Sequence, residues 1–137
     1  MQSSNVEKIK TWFVLSRPPF HAVGVLPFIL GTVLAYQLNS VFSPEIFLLG
    51  VSGVILIMLS TYHSGEYFDY PGDVISNRLH ENLFAGGTRI LPNAKISPRV
   101  PFWTSIVAII LAGLAGIILQ FVLKTGPYTL LLGFLGA

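Results

Sequence analysis

Glu66, Asp69 and Asp73 are the residues of this chain whose type and spacing invite chemistry. Three and four positions apart, they would share one face of a continuous helix, whose period is about 3.6 residues. Three carboxylates set side by side repel one another, and a divalent cation removes the repulsion. Mg²⁺ suits such a group because it takes one or two carboxylates and fills its shell with water and substrate phosphate oxygens. The arrangement points to a diphosphate held through metal, with a solvated helix end as the plainer alternative. Pro71 and Gly72 interrupt the run. A Pro-Gly pair favours a turn, so the helix is expected to end near Tyr70, leaving Glu66 and Asp69 as the same-face pair while Asp73 approaches from the turn.

The neighbouring residues extend this reading. Arg78 and Arg89 are fixed positive charges suited to phosphate oxygens, and "AGGT" at 85 to 88 offers backbone N–H groups that can cradle an anion. The excess of bases found on cytoplasmic loops of membrane proteins would place these arginines here as well. Tyr62, Tyr67, Phe68 and Tyr70 surround the acids in sequence, where aromatic faces can stabilise a developing cation or line a membrane interface. His63 and His80 have no partner at metal-ligand spacing and are not assigned to zinc.

The elements that must hold these residues are apolar. Only 10% of the 137 residues are charged and 53% are hydrophobic, and the mean hydropathy is +0.71. Residues 18 to 44, 46 to 65 and 100 to 123 contain no Asp, Glu, Lys or Arg. Each run reaches the roughly 20 residues a helix needs to cross about 30 Å of hydrocarbon. The expectation is an all-α, multi-pass transmembrane bundle with three full spans near Phe20 to Tyr36, Ile46 to Tyr62 and Pro101 to Leu123. Gly126 to Ala137 reads as the start of a fourth helix.

Residues 5 to 17 place Val6, Ile9 and Phe13 at helical spacing, with Trp12 suited to the headgroup level. This predicts an N-terminal helix lying on the membrane surface, broken by "RPPF". Pro27 and Gly31 make a kink plausible in the first span, and Ala112 and Gly116 give the third a small, closely packing face. Lys8, Lys10, Arg17, Arg78, Arg89, Lys95 and Arg99 fall on one side of the spans and Lys124 on the other. That asymmetry puts the N-terminus and the 63 to 99 loop in the cytoplasm, at a cell inner or plasma membrane. It also accounts for the basic pI of about 9.1 without a nucleic-acid partner. The absence of cysteine excludes disulfides and thiolate metal sites.

Taken together, "SRPPF", "GEYFDYPGD" and "FAGGTRILPNAKIS" resemble, in order and spacing, the N-terminal half of the UbiA superfamily of intramembrane prenyltransferases. The likeness is to the branch that prenylates 1,4-dihydroxy-2-naphthoate in menaquinone synthesis. It implies that residues 1 to 137 are the N-terminal part of a single such domain. It also implies an enzyme whose aspartate-rich loops hold Mg²⁺ and the diphosphate of a polyprenyl donor, and which transfers the prenyl group to an aromatic acceptor beside membrane lipid. Asp69 and Asp73 match the two acids of the family's Asn-x-x-x-Asp-x-x-x-Asp motif, and Glu66 falls where a further acid often follows the Asn. Gly65 stands where that Asn is expected. Arg17 matches the arginine before the first span, and Arg89 lies in the segment similar to the family's "GGSR" stretch. The implied roles are metal ligation for Glu66, Asp69 and Asp73, catalysis for the two aspartates, and diphosphate binding for Arg17, Arg78 and Arg89. Two alternatives stand beside this: a non-catalytic fragment or partner subunit, and a small four-helix transporter. The transporter predicts a full fourth span and an ionisable residue buried in a helix.

Overall fold

The structure, a computed structural model, describes residues 5–79, 90–93 and 95–137, the side chains of 76–79 excepted. The described residues form helices and turns with no strand. Helix α1 (Asn5–Leu15) stops at Arg17, which takes left-handed backbone angles of φ 47° and ψ 55°. Pro18 and Pro19 then withdraw two successive N–H groups and the chain makes one 3₁₀ turn, Pro18–His21. Helix α2 (Ala22–Asn39) follows, runs through Pro27, and ends on left-handed Ser40, whose N–H donates to the Tyr36 carbonyl at 2.7 Å.

The start of α3 (Pro44–Leu79) is written in "SPE". The Ser43 hydroxyl accepts from the Ile46 N–H at 3.3 Å, Pro44 needs no N–H partner in the first turn, and Glu45 faces the positive end of the helix dipole. With 36 residues α3 is about 54 Å long, well beyond the hydrocarbon thickness of about 30 Å. The stretch Pro44–Ile75 is long and apolar enough to cross a membrane.

Helix α4 (Arg99–Ile117) continues into a π-helical turn, Ile118–Val122, in which the Leu123 N–H reaches the Ile118 carbonyl at 2.9 Å. Lys124 and Gly126 both take positive φ and reverse the chain into α5 (Thr129–Gly136). The Gln120 side chain caps that reversal by accepting the Leu130 N–H at 3.0 Å. The fourth helix therefore starts a few residues after Gly126, and its eight residues are short of a span.

Three of the helical stretches are long and apolar enough to cross a membrane, which gives the chain a membrane location. Pro101, Ser105, Ala108, Ala112, Ala115 and Leu119 alternate at spacings of four and three along the buried side of α4, and the contact of α4 with α3 is the most extensive in the fold. Small side chains there let the two backbones close up. Between α2 and α3 the clearance comes from glycine. A Cβ on Gly50 would run into the Phe28 ring, and one on Gly24 would meet the Met58 sulfur. Leu26, Leu30, Ile110, Leu114, Phe134 and Leu135 point outward, as side chains facing lipid should.

Candidate functional site

The helix does not end near Tyr70. α3 carries on through Pro71 and Gly72 to Leu79, so Glu66, Asp69 and Asp73 lie on one face of a single helix. Pro71 removes the N–H that would have reached the Tyr67 carbonyl, but its ring holds φ near the helical value. The flanking turn is anchored from outside, with Glu66 bound to Arg17 and the Tyr67 ring 5.0 Å from that of Phe102 in α4. These contacts offset the one lost hydrogen bond.

Arg17, Thr61, Tyr62, Gly65, Glu66, Asp69 and Asp73 line an open cleft of about 340 Å³. The break after α1 brings Arg17 to it: Nη2 donates to Glu66 Oε1 at 2.7 Å, with the Glu66 side chain 3% exposed and that of Arg17 27%. Tyr62 joins the two chain segments. Its hydroxyl donates to the Phe20 carbonyl at 3.2 Å and its ring stands 5.5 Å from that of His21. Of the four aromatic residues near the acids in sequence, Tyr62 lines this cleft. Tyr67 packs on Phe102, Phe68 points outward, and Tyr70 borders a separate hollow with Lys8 and Lys95.

The lining charges are one cation and three carboxylates. Arg17 and Glu66 offset each other, and Asp69 and Asp73 leave the cleft negative on its open side. Asp73 stands some three turns past Tyr62 on the same helix. Among the described residues no three His, Cys, Asp or Glu side chains converge on a metal position. The donor chemistry nevertheless fits Mg²⁺, which asks for one or two carboxylates and leaves the rest of its shell to water and phosphate. Asp69 and Asp73 supply those two on the open side, whereas Glu66 is engaged by Arg17.

Arg89 and the 85 to 88 glycine stretch lie outside the described residues, as does His80; Arg78 is on the last turns of α3, its side chain outside them too. His63 is the residue that sequence reasoning passed over. It is 0% exposed, its Nε2 lies 3.0 Å from Ser16 Oγ, and its ring stands 5.6 Å from that of Trp12. Trp12, expected at headgroup level, also donates its indole N–H to Thr104 at 3.1 Å. No local spacing announces these partners, because Ser16 is 47 positions away. Compared with known proteins, the chain matches no family model, no curated protein and no solved structure.

Proposed function

We propose that this chain is the N-terminal part of a Mg²⁺-dependent prenyltransferase that moves a polyprenyl group from its diphosphate to an aromatic acceptor, of the kind used in quinone synthesis. The observation that supports it most is the pair Asp69 and Asp73 on one helix face, opening into a cleft that Arg17 also lines. Asp69 and Asp73 would hold the metal. Once bound, Mg²⁺ neutralises charge on the leaving diphosphate. Arg17, whose guanidinium lines the cleft, would offer its positive charge to diphosphate oxygens there. Arg78 and Arg89 keep the diphosphate-binding role that the family resemblance gives them. Tyr62 presents its ring to the allylic carbon as the C–O bond breaks, where an aromatic face stabilises positive charge. The apolar helices below keep water from that carbon until the acceptor ring attacks it and loses a proton. The distribution of bases in the sequence supports a cytoplasmic position for this face and the N-terminus, at an inner or plasma membrane.

The test is Mg²⁺-dependent binding of a radiolabelled polyprenyl diphosphate to the chain in detergent, with Asp69→Asn and Asp73→Asn beside it. Binding that needs Mg²⁺ and is lost in both variants is expected. Equal binding by all three proteins would remove the basis of the assignment.

A second reading, a small membrane transporter, draws on the burial of His63 and Glu66 within α3, since ionisable groups buried in membrane helices often line ion pathways. Proteoliposomes that pass protons or cations only with Glu66 intact, and bind no diphosphate, would favour it.

A further inference from the structure

We propose that His63 is a positioning residue for the cleft: it clamps Ser16 and thereby holds Arg17 in the backbone conformation that delivers its guanidinium to Glu66. The inference deepens the proposed site and takes from that reading only the identity of the ligand Arg17 would meet.

Proton counting fixes the direction of the clamp. Ser16 Oγ lies 3.0 Å from the Trp12 carbonyl, which can only accept. A hydroxyl has one proton, so the contact of Oγ with His63 Nε2 at 3.0 Å must use the imidazole N–H as donor. Nδ1 is then the bare nitrogen, and it is buried without a hydrogen-bond partner. The opposite tautomer would bury an orphan N–H there and leave Ser16 without its donor. The ring is held from the other side by Trp12, itself bonded to Thr104 of α4.

Arg17 needs such a clamp. Left-handed angles are rare for a residue other than Gly, Asn or Asp, and they persist only where the surroundings enforce them. Here the Ser16 N–H donates to the Trp12 carbonyl at 3.0 Å and the Arg17 N–H to the Val14 carbonyl at 3.1 Å, closing the end of α1 just before Pro18. Across the gap, His63 and Glu66 are three positions apart on α3 and therefore on one face. That face grips two consecutive residues, Ser16 through the imidazole and Arg17 through the carboxylate. Without the imidazole bond, the Ser16–Arg17 peptide is free to leave the left-handed region, and the guanidinium goes with it.

The readout is hydrogen exchange of arginine Nε–H by NMR on ¹⁵N-arginine-labelled protein in detergent, with the Arg17 signal identified by its loss in Arg17→Lys; the sequence has four arginines. The Arg17 Nε atom is buried, so its N–H should exchange slowly. His63→Leu should speed that exchange at least about tenfold, the effect of losing one buried hydrogen bond. His63→Gln, whose side-chain amide nitrogen reaches the place of imidazole Nε2, should restore slow exchange. Ser16→Ala should match His63→Leu, and the double variant should add nothing further. Unchanged protection in His63→Leu or in Ser16→Ala would overturn the proposal. So would equal loss in His63→Gln, which would mean that ring packing, not the hydrogen bond, matters. If His63→Leu fails to fold, Ser16→Ala and His63→Gln decide alone. Failure of diphosphate binding would count against prenyl transfer without touching this result.

Discussion

The two halves of α3 are built on different principles. From Pro44 to Tyr62 the helix meets its neighbours through shape, with Gly50 making room for Phe28 and small α4 residues letting the backbones close in. From His63 onward it is held by directional bonds, His63 to Ser16 and Glu66 to Arg17. Lipid explains the change. Tails are as apolar as the side chains, so within the span contact geometry is what distinguishes a partner from solvent. From His63 onward, a polar bond buried in protein carries a large penalty when broken, and so fixes one arrangement. The cleft sits just past this transition, lined by Tyr62, Gly65, Glu66, Asp69 and Asp73.

Three substitutions probe the contrast. Arg17→Ala takes the guanidinium away from the buried Glu66 carboxylate, 2.7 Å distant, and should cost about 3–5 kcal/mol of stability in detergent, the range for removing one partner of a buried ion pair, measured by denaturant unfolding. Replacing the pair together by Met and Leu should recover most of that loss, because no charge is then left without its partner. If the single change is as mild as the double, the outer half is not held as described. In the span, Gly50→Leu forces Phe28 aside and should cost about 1–3 kcal/mol, the range for overpacking. Adding Phe28→Ala should relieve part of it, and no effect from Gly50→Leu would mean that α2 and α3 are looser than drawn. The smallest effect is expected at Gly65, where a Cβ would meet nothing within 4 Å. Gly65→Ala should stabilise α3 by about 0.5–1 kcal/mol through helix propensity alone, read as a raised unfolding midpoint. A loss there would mean that the cleft wall needs the bare backbone.

Much of the scaffold could be read from residue order. The three long helices, the stop at "RPPF" and the N-terminal helix with Val6, Ile9 and Phe13 outward all lie where composition and period place them. Two prolines that look alike in sequence behave differently, however. At Pro18 two successive N–H groups are lost and Arg17 turns left-handed; at Pro71 one is lost and the helix continues. The rule about Pro-Gly pairs weighs only local cost, whereas the turn around Pro71 is held by Arg17 and Phe102 from other elements. The aromatic residues followed the same logic: four lie near the acids in sequence, yet the rotation of α3 sends Tyr62 to the cleft and the others elsewhere.

Sequence by itself determined the helical membrane architecture and the alignment of Glu66, Asp69 and Asp73 at helical spacing, because hydropathy and period are properties of a segment taken alone. Tertiary structure decided that Asp73 stays on that face, that Glu66 is answered by Arg17, and that a histidine without any local partner binds Ser16. Those contacts join residues 47 and 49 positions apart. A helical period tells which side chains share a face, and only the crossing of helices tells what that face meets.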